Sequence, residues 1–301
     1  LIDVHSHAME WAKRILRKEI DGSYPRVRVI ADIVEQVRLR VAEAEPGEWI
    51  IGNSWDDAKL DERRYITRQD LDRFSPENPV YLEHVSGHLA VANSVALKLA
   101  GITRETPDPD GGVIERDKAS EPTGIVKDTA MRLIAGLLPA DPPELAMHAA
   151  KVVSEKALAV GLTTIHDIWL SPADMRGYQQ AYKRGWLQVR VQMVPGVAKV
   201  EDAEKLTQTG LHTGFGDDHL KLGAVKLFTD GGMGARTVAI YEPPVAGEPD
   251  NFGLLIWKTE ELQKAHRILV EGGWQIVTHA IGDRAIDQAL DSYAAVNKEL
   301  G

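Results

Sequence analysis

The stretch Leu162-Thr163-Thr164-Ile165-His166-Asp167 is a short β-strand pattern that ends in two polar side chains. Helical patterns enclose it, over residues 141–160 before it and residues 172–184 after it. A strand between two helices of this length is typical of the unit in which a helix joins two parallel strands. The pattern therefore predicts an α/β protein with a parallel sheet that helices cover.

The same alternation of strand and helix continues on both sides of this unit. The strands are apolar along their length, as strands buried on both faces of a sheet require. The remaining strand patterns cover residues 1–5, 187–194, 220–228 and 274–279, and the remaining helical patterns cover residues 30–41, 201–209, 259–271 and 283–298.

Polar side chains gather where these strands end. A closed barrel and an open doubly wound sheet both place their sites at this edge. No glycine-rich phosphate turn follows the first strand, which disfavours a dinucleotide-binding fold. Ligands from several non-adjacent strands favour a closed barrel, so the predicted fold is an incomplete (β/α)8 TIM barrel with about five of its eight strand–helix units. The strand-end residues are His5, His7, His166, Asp167, Lys226, Asp230 and His279.

A long insertion interrupts the barrel pattern after the first strand. Residues 45–140 hold short strands, short helices and a loop rich in Pro, Gly and Asp, without the regular alternation. We predict that this insertion covers the barrel mouth, and that residues 1–44 and 141–301 form the partial barrel.

Composition limits the classes of partner. The chain has 301 residues, a net charge of −10 and no cysteine, so thiolate metal sites and cysteine nucleophiles are excluded. The acidic balance argues against nucleic acid, and no apolar run reaches the ~18 residues of a membrane span. We expect a cytoplasmic protein with a small-molecule substrate, although a lost N-terminal signal stays open. The exposed strand edges of a partial barrel leave a homo-oligomer open as well.

The first strand and the residues that follow it read Leu1-Ile2-Asp3-Val4-His5-Ser6-His7, with two histidines at the end. Alternate side chains of a strand share a face, so His5 and His7 point the same way. Two neutral imidazoles on one side form a metal-binding pair. A polar strand end without a metal is the alternative.

Lys226 and His279 end two later strands. Burial lowers the pKa of a lysine, and a neutral amine reacts with carbon dioxide to give a carbamate that bridges two metals. The alternative is a lysine that extends to the strand end and pairs with Asp230. His279 has the position of a ligand or a general base, and a hydrogen-bonded core histidine is the alternative.

These motifs together resemble the amidohydrolase superfamily, in the branch called amidohydrolase family 3 (YtcJ-like metal-dependent hydrolases), along almost the whole chain. No single motif is specific, whereas the set is. The matching motifs are Leu1 to His7, Glu48-Trp49-Ile50-Ile51-Gly52, Trp55-Asp56, Gly87-His88, Asn93-Ser94, Pro122-Thr123-Gly124, Gly161 to Asp167, Val225 to Gly231 and His279 to Arg284.

The resemblance implies a metal-dependent hydrolase on a (β/α)8 barrel. It implies one or two divalent ions, commonly zinc, held by His5, His7, a carboxylated Lys226 and His279. The superfamily adds a histidine from the sixth strand and a general-base aspartate from the eighth, and this sequence stops before both. The general base therefore stays unknown.

Four further residues are predicted substrate contacts. Trp55 and His88 lie in the insertion, where an indole is expected to form a pocket wall. Asp230 and Arg284 flank the predicted ligands, and Arg284 is suited to a substrate carboxylate. Loop-ordering or surface pairing is the alternative for His88 and Arg284.

The predicted reaction is hydrolysis of a carbon–nitrogen bond in an amide or cyclic amide by a metal-activated water. Ester hydrolysis or deamination by the same centre is one alternative, because the fold does not select among them. A metal-binding fragment without activity is the other.

Overall fold

The computed structural model describes residues 1–242 and 250–300. Capping agrees with the sequence at several helix starts: Ser171 caps a helix with Pro172 in its first turn, and Thr67 with Asp70 forms a capping box. In chain order the elements are β1 (Ile2–Ser6), α1 (Ala8–Leu16), β2 (Ile20–Asp21), α2 (Ile30–Glu43), β3 (Ile50–Trp55), α3 (Arg68–Asp72), β4 (Val80–His84), β5 (Leu89–Ala92), α4 (Ser94–Leu99), β6 (Gly112–Arg116), β7 (Pro122–Asp128), a 3₁₀ turn (Thr129–Met131), α5 (Arg132–Ala135), α6 (Leu145–Ala159), β8 (Thr164–Leu170), α7 (Pro172–Lys183), β9 (Arg190–Pro195), α8 (Val200–Thr207), β10 (Leu220–Leu222), β11 (Val225–Phe228), α9 (Thr259–Glu271), β12 (Ile276–His279) and α10 (Asp283–Leu300).

The predicted barrel strands form a parallel array in chain order. One sheet has the order β1-β8-β9-β10, and β11 pairs in parallel with β12. A single parallel bridge from Gly196 to Lys226 joins the two. The predicted strand 220–228 is thus divided between β10 and β11, because the chain leaves the β9 register at Gly223 and pairs with β12 instead.

The array is open within the described part of the chain. There, β1 pairs with β8 alone and β12 pairs with β11 alone, so each has one unpaired edge. Ile2 and Val4 of β1 are largely exposed. The structure therefore has the α/β architecture that the sequence predicts, but a closed barrel is not present in residues 1–242 and 250–300.

The main core lies between this array and its helices. It includes Ile165 and Val191 from the strands and Ala149 from α6. Gly177 of α7 packs so closely on α6 that a Cβ there would lie 2.5 Å from the Ala146 carbonyl carbon. Small residues at this contact allow the two helices to approach each other.

The second sheet has the order β2-β3-β4-β5-β7-β6. Its strands bury both faces, and successive residues of one strand enter different cores: Leu82 packs with α2, whereas Tyr81 packs with α4. This alternation is the period of two that a strand imposes. Insertion residues 45–140 supply β3 to β7, while β2 and α2, which precede residue 45, belong to the same sheet and core. The division at residue 45 stays a prediction.

Helix α1 was not predicted, although it positions the first strand end. Met9 and Ala12 bury its inner face in the main core. Its outer face joins the two sheets through ion pairs, with Arg14 donating to Glu83 of β4 at 2.7 Å. The helix therefore fixes how the second sheet stands over the ends of the parallel strands.

None of the helices in residues 1–242 and 250–300 is both long enough and apolar enough to cross a membrane.

Candidate active site

A cavity of about 690 Å³ lies where the parallel strands meet the second sheet. The carboxyl ends of β1, β8, β11 and β12 form its floor, and residues after β4 and β7 form its other side. Its size suits a drug-sized small molecule. Among the residues that line it are His5, His7, His88, Lys226, Phe228 and His279.

His5 and His7 lie side by side at the floor of this cavity. Their ring centroids are 5.6 Å apart. The His7 Nδ1–H donates to the Ile168 carbonyl at 3.1 Å, which leaves Nε2 with the free lone pair. A carbonyl that fixes the tautomer in this way is the usual support of a metal-binding histidine.

Asp167 fixes the turn that follows His7. This buried carboxylate accepts the backbone N–H groups of Ala8 and Met9 at 2.8 and 2.9 Å, and the Tyr178 hydroxyl at 2.6 Å. It therefore holds the first turn of α1 against β8. Asp167 does not line the cavity, so its role is to position the histidines.

Lys226 is buried in β11 and only 2% exposed. Burial lowers the pKa of its amine. No carboxylate pairs with it in the described ranges; Nζ lies 4.8 Å from the centroid of the Phe228 ring. The predicted alternative, a pair with Asp230, is absent there, because Asp230 is engaged elsewhere.

His279 at the end of β12 is held by the loop after β11. Its Nε2–H donates to the Gly231 carbonyl at 3.0 Å, so Nδ1 carries the free lone pair. Burial lowers the pKa of His279, which favours the neutral form that binds metals.

Asp230 ties the loops after β11 and β12 together. It is fully buried and accepts the backbone N–H groups of Ala239, Ile281 and Gly282 at 2.9–3.1 Å. Its Oδ1 lies 3.7 Å from His279 Nε2. The carboxylate therefore supports His279. Asp230 does not line the cavity, so its position does not provide the predicted contact with substrate.

His88 extends from the second sheet into the cavity. Its ring lies 5.3 Å from that of His279, and its Nδ1 lies 2.8 Å from Oδ1 of Asp128. Of the predicted substrate contacts, His88 is the one that lines the cavity. A role for Asp128 in the site was not predicted from the sequence. Its position at the end of β7 was the feature that could have indicated one.

Besides Asp230, two more of the predicted substrate contacts lie away from the cavity. Trp55 is fully buried in the core beneath α2, where its Nε1–H donates to the Leu82 carbonyl at 3.0 Å. Its polar atom is therefore satisfied inside the second sheet. Arg284 begins α10 and does not line the cavity either. Aromatic side chains that do line the cavity include Phe228 and Trp169, whose rings are 4.8 Å apart and which we call the aromatic wall.

Trp169 is held in an unusual backbone conformation. Its φ is +69°, in the left-handed region that disfavours residues with a Cβ. Its indole covers Gly196 so closely that a Cβ at Gly196 would lie 2.6 Å from the ring. Strain of this kind is common at ligand sites, because the surrounding structure must hold it.

A second group of acidic and imidazole side chains lies away from the cavity floor. In the described ranges, Asp56, Asp57 and His84 are the one group of three whose ligand atoms lie within 4.8 Å of one another. His84 Nδ1 accepts the Ser86 backbone N–H, so its Nε2–H donates to Asp57 at 3.2 Å. Hydrogen bonds already satisfy both nitrogens of this histidine.

The cavity residues fit a divalent ion by their chemistry. His5, His7 and His279 are imidazoles with a free nitrogen, and Lys226 is a buried amine without an acidic partner. Within the described residues these three histidines do not form a group whose ligand atoms all lie within 4.8 Å of one another. Their role as ligands stays a prediction.

Comparisons with known proteins identify the family that this chain resembles. The model of the amidohydrolase family matches residues 1–301. Protein LONG AFTER FAR-RED 3 of Arabidopsis thaliana is 31% identical over 98% of this chain and 51% of its own length. The N-substituted formamide deformylase of Arthrobacter pascens is 28% identical over 99% of this chain and 55% of its own length.

A solved structure is similar to the whole fold. An uncharacterized metal-dependent hydrolase from Pyrococcus horikoshii superposes with a TM-score of 0.66 at 26% identity, over 98% of this chain and 55% of the other. The chain thus spans about half the length of the relatives that it matches.

Proposed function

Because the chain belongs to the amidohydrolase family, we propose that it forms the metal-binding part of a hydrolase that cleaves a carbon–nitrogen bond in an amide or cyclic amide. One observation carries the proposal: His5, His7, Lys226 and His279 come from three strands and line one cavity.

In this proposal the four residues hold one or two divalent ions, with zinc as the first candidate because imidazole nitrogens suit it. Lys226 joins the site as a carbamate: its neutral amine adds to carbon dioxide and releases a proton. Burial supports this step because it favours the neutral amine. A bound divalent ion supplies Lewis-acid activation of water and of the scissile carbonyl.

The chain's own residues orient the substrate. Trp169 and Phe228 offer an aromatic wall to a substituent of the amide. Arg14 and Glu83, which pair with each other, close the cavity opposite. Asp230 and Asp167 keep His279 and His7 in place through backbone hydrogen bonds, so that ligand positions do not depend on flexible loops.

We further propose that the parallel array is part of a (β/α)8 barrel. Two features support this: the strands follow one another in chain order, and both outer edges are unpaired in the described residues. Further parallel strands that pair with β1 and β12 would close it. The formamide deformylase from Arthrobacter pascens makes N-substituted formamides a first class of substrate to test.

A matched panel of substrates tests the reaction class. The protein, loaded with zinc in the presence of bicarbonate, is assayed on an amide, the corresponding ester and an amino-heterocycle. We expect amide hydrolysis that a chelator abolishes and that His279→Ala loses. Exposed His148 lies outside the cavity, so His148→Ala is the control and should keep the activity. If the protein turned over only the ester or only the heterocycle, that reaction would replace the amide assignment. If it bound metal but turned over none of the three, the chain would be a metal-binding fragment without activity.

A further inference from the structure

His88 and Asp128 form a pair that the second sheet presents to the predicted metal ligands. Besides the bond from His88 Nδ1 to Asp128 Oδ1, the Asp128 backbone N–H donates to the His88 carbonyl at 2.9 Å. The Asp128 side chain is 1% exposed and that of His88 is 14% exposed. Two bonds and deep burial therefore fix the ring.

The loop after β11 is shaped around this pair. A Cβ at Gly232 would lie 2.9 Å from His88 Cδ2, and a Cβ at Gly231 would lie 2.7 Å from Asp128 Oδ2. Both positions are thus too close for a side chain. Asp128 itself has a φ of +48°, and its Oδ2 has no hydrogen-bond partner in the described residues. Backbone strain and a buried oxygen without a partner are features of a site built for function rather than for stability.

The pair sets which nitrogen of the His88 ring, a ring that lines the cavity, carries a lone pair. A carboxylate oxygen accepts, so His88 Nδ1 carries the hydrogen and Nε2 carries a lone pair. Nε2 has no partner in residues 1–242 and 250–300, and the ring lines the cavity beside His279. The neighbouring His84 differs, because both of its nitrogens are engaged.

We infer that His88, held by Asp128, accepts a hydrogen bond from the N–H of the scissile amide, so that the site selects primary and secondary amides over tertiary amides and esters. This inference rests on the proposed function and names its substrate class. A hydrogen-bond acceptor in a confined cavity disfavours a substrate analogue that lacks the N–H, because that analogue leaves His88 Nε2 without a hydrogen bond. His88 is a substrate contact and Asp128 is a positioning residue.

The test compares matched substrates in matched variants. N-Phenethylformamide, its N-methyl derivative and phenethyl formate are assayed with the metal-loaded protein and with His88→Phe, Asp128→Asn and the exposed control His148→Phe. We expect wild type and control to prefer the secondary over the N-methyl amide in kcat/KM by about tenfold or more, as for one buried acceptor left unpaired. His88→Phe and Asp128→Asn should reduce that preference. A structural role alone would slow both amides equally and keep their ratio, which would overturn the inference while amide hydrolysis stands.

A second measurement does not depend on turnover. In protein with ¹⁵N-labelled histidine, His88→Phe assigns the His88 signals, which should have the pattern of a protonated Nδ1 and a bare Nε2. The secondary amide should shift the Nε2 signal and the N-methyl amide should not. If the protein hydrolyses no amide, the proposed function fails, and this measurement still shows whether His88 accepts the N–H of a bound amide. Equal shifts with both amides, or none with either, would overturn it.

Discussion

Replacing Asp230 should loosen the loops that carry His279. Three backbone N–H groups donate to this fully buried carboxylate, those of Ala239, Ile281 and Gly282. Leaving a buried donor without an acceptor costs about 1–3 kcal/mol each. We therefore expect Asp230→Ala to lower the free energy of unfolding by about 4 kcal/mol, and Asp230→Asn, whose amide keeps one acceptor oxygen, by about 2 kcal/mol.

Urea unfolding of the metal-free protein, followed by tryptophan fluorescence, measures these differences. Asp287→Asn is the matched control, since Asp287 is exposed and, among the described residues, accepts only the Tyr241 hydroxyl. It should change stability by less than about 0.5 kcal/mol. Because a displaced His279 is a poorer ligand, Asp230→Asn should also weaken zinc binding about 10- to 100-fold. If Asp230→Ala were as stable as the control, the carboxylate would not tie these loops together and the argument would be refuted.

Three further changes test other parts of the account. Burial lowers the pKa of His266 to about 4 from the ordinary 6.5, so the unfolded chain binds the proton first and the free energy of unfolding falls as pH drops from 6.5 to 4. In urea unfolding, His266→Gln should therefore lose about 2 kcal/mol less stability than wild type between pH 7 and pH 5, and equal losses in the two proteins would contradict this. Gly196→Ala should displace Trp169 and raise KM for the phenethyl substrates with little change in bound metal, whereas an unchanged KM would remove Trp169 from the wall. Depleting bicarbonate should lower the metal bound by wild type, but not that bound by Lys226→Ala; a wild type indifferent to bicarbonate would argue against the carbamate.

The sequence predicts the α/β pattern well because strand and helix periods are local properties. Each strand of the array and α6 to α10 lie within a few residues of their predicted bounds. The division of the predicted strand 220–228 into β10 and β11 could not be predicted from the sequence, because it depends on which neighbouring strand each half pairs with. Helix α1 was missed because it has only nine residues and its buried face is short.

The site was predicted in part, for a related reason. Ligand-type residues at strand ends are visible in the sequence, and the sheet brings His5, His7, Lys226 and His279 to one cavity. Their hydrogen-bond partners come from distant positions, as Asp128 does for His88, and sequence spacing does not show them. Trp55 looked like a pocket wall because an indole suits a wall or a core equally, and its partner at Leu82 decides for the core.

The metal content of the purified chain shows whether the histidines of the cavity bind metal. The purified chain, reconstituted with zinc and bicarbonate and then desalted, is compared by elemental analysis with the double variant His5→Ala/His7→Ala. The control is His148→Ala/His212→Ala, which removes two exposed histidines outside the cavity. We expect one or two zinc ions per chain in the wild type and in the control, and a loss of bound zinc in the His5/His7 variant. Equal zinc in all three proteins, or none in the wild type, would show that His5 and His7 are not metal ligands.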